Sequence, residues 1–337
     1  MPAAANLHTG GVVERASGIR MRMSWKGIDM TTTAPPSAPV TIRRVLRGLL
    51  GNPPGVGTKS TAILPDAAVA HQDAAKVYQF TSVDYPGAAQ TYVFDTDGTT
   101  SLGAFVYDPG NVSSPTTAFT MAGGTYEILN VPNSTGSYAT AVNTSGLIVG
   151  AYTDLAGLTH GFATSDSSTF NNVDFPGANS TQAIDVNDAG AVVGEYYDAA
   201  NVEHGFISSG GTFTAIDFPA STGTAVAGIN ASGDVVGGYT DATGSHGFLL
   251  SGNVFSPINF PLASDTTAFG INDNGDIAGF YTDSAGKVHG FVYADNNFST
   301  VDVAGASATQ LTRIKNWDQV TGVYVDALHA LHGLTGQ

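Results

Sequence analysis

From Tyr78 onward, short apolar stretches alternate with turns rich in Gly, Asn, Asp and Ser. One stretch reads as four strands: TTAFGIN (266–272), DIAGFYTD (276–283), HGFVYAD (289–295) and NFSTVDV (297–303). Between the first two, Asn274-Gly275 is typical of a tight hairpin, because both residues tolerate the positive φ that such a turn requires. The pattern therefore predicts antiparallel strands joined by short connections.

This four-strand pattern recurs along the chain, and a Tyr-x-Asp tripeptide marks the end of its second strand at intervals of 42 to 44 residues. The copies are Tyr152-Thr153-Asp154, Tyr196-Tyr197-Asp198, Tyr239-Thr240-Asp241, Tyr281-Thr282-Asp283 and Tyr324-Val325-Asp326, preceded by a degenerate copy at Val106-Tyr107-Asp108. Four antiparallel strands per repeat of this length are typical of a β-propeller. We predict an all-β propeller of six four-stranded blades, with a solenoid as the alternative.

The two ends of the repeat region complement each other. YQFTSVDYPG (78–87) reads as a fourth strand without the first three, and ALHGLTGQ (330–337) reads as a third strand without a fourth. Pairing these segments closes the ring and leaves no exposed end blade. Glycines recur within the second strands, which predicts that the backbone or an aromatic ring of another blade comes close there: Gly150, Gly194, Gly237, Gly279 and Gly322.

Charge divides the chain at the same point. Nine of the 12 Lys and Arg residues lie in residues 1–77, predicted to be a disordered basic leader, whereas the propeller domain 78–337 has three basic and 24 acidic residues. So acidic a domain repels phosphate backbones, which argues against a nucleic-acid partner. The sequence contains no run of 18 apolar residues, so we predict no membrane-spanning segment. We find no complete secretory signal in it. Without cysteine there is neither a disulfide nor a thiolate metal site.

An Asp and a His flank the loop after the second strand in five copies. The pairs are Asp154 and His160, Asp198 and His204, Asp241 and His246, Asp283 and His289, and Asp326 and His332. A catalytic group is normally needed once, and two ligands per loop are too few for zinc. We interpret the pairs as structural and predict no metal or cofactor, while catalysis, metal binding and structural calcium at loops such as 272–276 stay as alternatives. The acidic or amide residues at three unit exits, Asp174, Asp217 and Asn259, are interpreted as solvated edges.

If one blade carries the function, its functional residues are expected at positions that depart from the repeat. Glu195 replaces a small or apolar residue and is the candidate for acid–base catalysis. In the last copy, Arg313, Lys315 and Trp317 replace mostly small and amide residues, and this cluster could hold a carboxylate or a sugar ring. Tyr197, which follows Glu195 closely, completes the predicted ligand-binding set, and degeneration of a terminal blade is the alternative explanation.

The repeated unit A-x-x-[VI]-N-x-x-G-x-[VI]-x-G-x-Y-x-D-x-x-G-x-x-H-G-F resembles that of the bacterial extracellular HAF-repeat proteins. The resemblance covers Tyr78 to about Leu334 and implies a secreted or cell-surface location; it supplies no catalytic residue. We therefore expect a monomeric, non-enzymatic propeller that binds a glycan or protein ligand. The alternative is a polysaccharide-active lyase or glycoside hydrolase, in which Glu195 and the Arg313 cluster would have to meet at the mouth of the ring.

Overall fold

The computed structural model describes residues 78–107 and 115–337, which form an all-β protein without helices in these ranges. The predicted disordered leader lies outside the described residues. Among the described residues, no helix is long and apolar enough to cross a membrane.

Four separate four-stranded antiparallel sheets account for sixteen of the strands. They are β6 (Ser134–Val142), β7 (Ile148–Asp154), β8 (Thr159–Thr164) and β9 (Asn171–Asn172); β10 (Ser180–Val186), β11 (Val192–Tyr197), β12 (Glu203–Ser209) and β13 (Thr212–Ile216); β14 (Gly223–Ile229), β15 (Val235–Asp241), β16 (Gly244–Ser251) and β17 (Val254–Ile258); and β18 (Asp265–Ile271), β19 (Ile277–Thr282), β20 (Val288–Ala294) and β21 (Asn297–Val301).

The remaining eight strands form one sheet. They are β1 (Phe80–Val83), β2 (Gln90–Thr96), β3 (Thr100–Val106), β4 (Thr117–Ala122), β5 (Thr125–Ile128), β22 (Ala308–Ile314), β23 (Val320–Val325) and β24 (Leu331–Gly336). Six separate blades were predicted. The structure instead has four separate four-stranded sheets and one sheet of eight strands, so the count of separate four-stranded sheets is corrected to four. The physical reason is a parallel pair, Gln90 opposite Leu331, which joins β2–β5 to the antiparallel group made by β22, β23, β24 and β1.

We call each antiparallel group of four strands a unit and number the units along the chain from β2–β5, the first, to β22–β24 with β1, the sixth. The first strand of each unit packs against the preceding unit, and β2 of the first packs against β22–β24 of the sixth, so the units form a closed propeller ring. The predicted closure is confirmed: β1 runs antiparallel to β24, with Phe80 opposite Gly336 and Val83 opposite Gly333.

A β-bulge lies at the same place in the first strand of every unit and pushes one extra residue out of the ladder. These six residues are buried: Phe94, Thr140, Ile184, Ala227, Phe269 and Thr312. Four of them, from the first, third, fourth and fifth units, belong to one apolar cluster, which places them at the centre of the ring. The bulges thus close the middle of the ring with side chains.

The recurrent glycines of the second strands have a different neighbour from the one predicted. A Cβ on Gly237 would lie 2.1 Å from the Ala225 carbonyl oxygen and 2.9 Å from the Phe248 ring, and both residues belong to the same unit as Gly237. The His-Gly-Phe phenylalanine of the third strand therefore fills the space above the glycine within one unit, and no neighbouring unit is involved at this point.

Candidate functional site

The hairpins between first and second strands gather at one end of the ring, which we call the hairpin end. Asn143, Asn187, Asn230 and Asn272 each begin such a hairpin, and their Oδ1 atoms accept backbone N–H groups of their own turns. Each Nδ2 donates to the backbone oxygen of the corresponding residue in the next unit, over 3.0 to 3.3 Å. This belt of amides ties neighbouring hairpins together.

Inside the belt lies an open cavity of about 100 Å³, to which all six units contribute. Polar and charged residues line it together with aliphatic ones. The charged and aromatic side chains that line it are Asp97, Asp185, Asp188, Asp273, Arg313, Lys315 and Trp317. Three of the four residues predicted to bind a ligand are thus brought together here, namely Arg313, Lys315 and Trp317.

Arg313 is 3% exposed and crosses the centre of the ring. Its guanidinium donates from Nη2 to the Ile184 carbonyl over 2.7 Å and lies 3.5 Å from Asp185, both in the third unit. The same group donates to the Phe269 carbonyl and lies over the Phe269 ring in the fifth unit. Burial raises the pKa of Asp185, and the charge of Arg313 opposes this increase. Arg313 therefore braces three units.

Lys315 is also committed to a partner within the ring. Its Nζ lies 2.6 Å from Oδ1 of Asp95, a residue that is 1% exposed, and Oδ2 of Asp95 accepts the Val142 N–H of the second unit. The lysine takes the place that asparagine holds in other hairpins, and its backbone oxygen still accepts from Asn272. The charges of Arg313 and Lys315 are thus both compensated by carboxylates of this protein.

Trp317 is the exposed aromatic residue of the cavity, with 44% of its surface accessible. Its Nε1 donates to Gln319 Oε1 over 3.1 Å, which orients the ring. The ring leans over the hairpin of the first unit: a Cβ on Gly98 would lie 3.2 Å from Trp317 Cζ2, and the φ of Gly98 is +93°. Only glycine leaves room for the indole at this position without backbone strain.

The other two predicted residues lie elsewhere. Tyr197 is opposite Ser180 at the far end of its strand from the hairpin, and its hydroxyl donates to Glu203. Glu195 is 2% exposed and borders a separate void of about 10 Å³ among the third, fourth and fifth units. Neither residue lines the hairpin-end cavity, so Glu195 and the Arg313 cluster do not meet at its mouth.

The five Asp–His pairs lie at the opposite end, which we call the crossover end because the chain passes there between units. The His Nε2 atoms are 3.3 to 3.6 Å from the loop carboxylates. In four loops the Asp Oδ1 also accepts two backbone N–H groups of its own turn, as Asp154 does from Ala156 and Leu158. These bonds, that from Leu158 foremost, lower the pKa of Asp154 below its ordinary value of 3.8. The stabilisation that these hydrogen bonds give the folded protein is thus present above pH 3.8 and is lost as the pH falls through the lowered pKa of Asp154.

The shorter hydrogen bond of these histidines was not foreseen. In four units Nδ1 lies 2.7 to 2.9 Å from a carboxylate at the unit exit, as His204 does from Asp217. The exit residues Asp174 and Asp217 are therefore hydrogen-bond acceptors for histidine, not merely solvated edges. In the fourth unit Asn259 replaces the aspartate, and His246 Nε2 instead lies 2.8 Å from Thr243 Oγ1. The nearly constant spacing of 13 or 14 residues from the His to the exit Asp could have indicated this hydrogen bond from the sequence.

Aromatic stacking joins the units at this same end. The Phe of an exit lies flat on the Tyr of the next unit, with ring centroids 3.6 Å apart for Phe218 and Tyr239. The Tyr239 ring also lies 5.1 Å from the His246 ring of its own unit. The tyrosine of the repeat thus contacts both the preceding unit and its own histidine, and these contacts are structural.

The fourth unit provides a natural control for a test of the exit carboxylate. We expect His204→Ala to lower the melting temperature by about 1 °C more than His246→Ala, because only His204 has the short bond to a carboxylate. Both variants lose a similar tyrosine contact, so the difference in calorimetric melting temperature compares the His204 bond to a carboxylate with the His246 bond to the Thr243 hydroxyl. Equal losses would show that the bond to a carboxylate stabilises the protein no more than the bond to a hydroxyl.

Among the described residues, no group of three or more His, Asp or Glu side chains is placed to hold a metal ion. The Asn272 side chain of loop 272–276 is engaged by backbone N–H groups, by Asp276 and by the next unit. Its oxygen is therefore committed to the turn.

No protein-family model matches the chain, and no curated protein matches its sequence. Among solved structures, it is similar to AofleA from Arthrobotrys oligospora, with a TM-score of 0.50, 10% identity and coverage of 75% of this chain and 85% of that chain. TolB from Acinetobacter baumannii gives a TM-score of 0.51, 9% identity, and coverage of 71% and 64%.

The fucose-recognising lectin of Aleuria aurantia, a six-bladed β-propeller, gives a TM-score of 0.46, 11% identity, and coverage of 76% and 93%. At these identities the likeness concerns the fold alone. The closed ring of four-stranded units described above defines the chain as a β-propeller protein.

Proposed function

We propose that this protein is a non-enzymatic binding module that holds a carbohydrate at the hairpin-end cavity. The observation that carries the proposal is Trp317, a large aromatic side chain left 44% exposed at a cavity that polar and charged residues line together with aliphatic ones. An exposed indole can cover the apolar C–H face of a sugar ring, and aromatic anchors of this kind dominate binding energy at many sites.

The surrounding groups suit hydroxyl-rich ligands. Sugar hydroxyls both donate and accept, and the cavity offers exposed carboxylates at Asp188 and Asp273 and an exposed amide at Asn316. The cavity is small beside the 300 to 1,000 Å³ typical of drug-sized ligands. It therefore suits one sugar residue of a longer chain better than an enclosed small molecule.

The resemblance of the repeat to extracellular HAF-repeat proteins supports a further part of the proposal, that the protein acts outside the cell or at its surface. We also propose that it acts as a monomer. The placement of Glu195 supports the choice of binding over catalysis, because a side chain 2% exposed is not presented to a polymer at the mouth.

The proposal predicts that Trp317→Ala lowers affinity for a bound glycan by about tenfold or more. Glycan-array screening of the wild-type protein, followed by titration calorimetry on the strongest hit, measures this loss. Trp317→Phe should retain part of the affinity, since it keeps an aromatic face but not the Nε1 bond to Gln319.

Leu155→Ala is the matched control, because Leu155 is also an exposed apolar residue, 74% accessible, but lies at the crossover end. It should leave affinity unchanged. Binding that survives Trp317→Ala unaltered, or a protein that binds no glycan, would contradict the proposed function.

A further inference from the structure

The charge that remains at the hairpin-end cavity is negative. Arg313 and Lys315 are compensated by Asp185 and Asp95. Three further carboxylates line the cavity, those of Asp97, Asp188 and Asp273. A ligand entering the cavity therefore meets carboxylates whose charge the two basic residues do not cancel.

The hydrogen bonds of these three carboxylates come from uncharged donors. Asp97 accepts the N–H groups of Thr99 and Thr100. Asp188 accepts the Thr144 N–H, and Asp273 accepts the Ala231 N–H. In each case these bonds fix the carboxylate in place.

Asp273 also accepts an N–H of the Asn316 side chain on its second oxygen. For Asp97, burial raises the pKa, but its hydrogen bonds and the charge of Lys315 outweigh burial and lower it below 3.8. That carboxylate is therefore ionised at neutral pH.

Two of these carboxylates are connected to the indole through adjacent residues. Asp97 precedes Gly98, over which the Trp317 ring lies, and Asp273 bonds to Asn316, the residue before Trp317. The exposed indole adds an aromatic face to the same cavity, and such a face attracts cations as well. The arrangement reverses the expectation that this cluster holds an anionic group.

We propose that the cavity selects an amino sugar, with its protonated ammonium group at the carboxylates and its ring on Trp317. This inference rests on the proposed function and names the ligand class for the same site. An acidic sugar would place its carboxylate among three others, and a neutral sugar would gain only the stacking and hydroxyl contacts.

The experiment is titration calorimetry of the full chain with three oligosaccharides of equal length: a glucosamine oligomer, its N-acetylated counterpart and a galacturonic acid oligomer. Acetylation removes the positive charge while the ring stays the same. We expect the glucosamine oligomer to bind about tenfold more tightly than the N-acetylated one at low salt, and the acidic oligomer to bind most weakly. The preference should shrink as salt is added, because salt screens exposed charges.

Asp273→Asn tests the carboxylates directly. It keeps an oxygen that can accept the Ala231 N–H but removes the charge, so affinity for the glucosamine oligomer should fall about fivefold while the N-acetylated oligomer stays within about twofold. Asp166→Asn is the matched control, because Asp166 is an exposed carboxylate that also accepts turn N–H groups, from Ser168 and Thr169, and does not line the cavity. It should change neither affinity.

The outcomes separate this inference from the proposed function. If the N-acetylated or acidic oligomer binds as tightly as the glucosamine oligomer, and Trp317→Ala still lowers affinity by about tenfold or more, the amino-sugar inference is wrong and the carbohydrate site stands. A lysine oligomer that binds as tightly as the glucosamine oligomer would overturn the inference in favour of charge alone. If no oligosaccharide binds, both fail.

Discussion

Replacing Arg313 with methionine is expected to lower the free energy of unfolding by about 3–5 kcal/mol, the largest effect of any single substitution proposed for this protein. The change removes the charge that faces Asp185, which is itself 6% exposed, and leaves the Ile184 carbonyl without its donor at 2.7 Å. A buried carboxylate without its counter-ion is costly, so the loss exceeds that of an ordinary surface pair. Denaturant unfolding followed by fluorescence measures it.

Two further variants give this prediction its controls. Lys287→Met removes an exposed cation 4.0 Å from Asp302 and should change stability by no more than about 0.5 kcal/mol. Adding Asp185→Asn to Arg313→Met should recover part of the loss, because the uncompensated charge is then gone as well. A stability of the single variant within 0.5 kcal/mol of wild type would show that Arg313 is not a brace.

The loss of stability in Arg313→Met should also depend on pH in a defined direction. Burial raises the pKa of Asp185, and removal of the opposing Arg313 raises it further. A group whose pKa is raised on folding favours the folded state at low pH, and this advantage is lost as pH rises from 3.8 through the raised pKa. The gap between Arg313→Met and wild type should therefore be smaller near pH 4 than at pH 7.

How far the sequence predicts such features depends on how local their causes are. The Asn-Gly hairpin at Asn274 and Gly275 follows from the backbone preferences of two adjacent residues, and the repeat makes the same hairpin visible several times. The brace does not repeat: Arg313 and Ile184 are 129 residues apart, and only the ring closure brings them together. The departure from the repeat at Arg313 was visible, but the departure alone does not distinguish a ligand site from a brace.

Some of the missed contacts left a signal in the repeat itself. The exit Phe and the next Tyr are separated by the same interval wherever both occur, as in Phe218 with Tyr239 and Phe260 with Tyr281, and each of these pairs stacks. Tyr197 illustrates the opposite case. It was predicted to bind the ligand because it is close to Glu195 in the sequence, but neither residue lines the cavity beside Trp317. Proximity along the chain was therefore misleading.

Ring closure supplies the second large effect. A chain beginning at residue 88 is expected to melt about 10 °C or more below one beginning at residue 78. The ten residues contribute β1, including Val83, which is 5% exposed, and Tyr85, whose ring stacks on Phe105 at 3.7 Å. They also contribute Asp84, which accepts from His332 over 2.9 Å. Burial of Val83 and stacking of Tyr85 are together worth about 2–4 kcal/mol, to which the loss of the ladder is added.

The loss should be reversible in trans, which separates closure from general damage. Without β1, the outer edge of β24 from Gly333 to Gly336 is unpaired and open to another strand. A synthetic peptide of residues 78–87 should add to that edge and raise the melting temperature of the shortened chain in a concentration-dependent manner. The same peptide with Val83→Asp is the control, since it keeps the backbone ladder but cannot bury its side chain, and it should have little effect. Equal melting temperatures for the two chains, or equal rescue by both peptides, would refute a stabilising closure by β1.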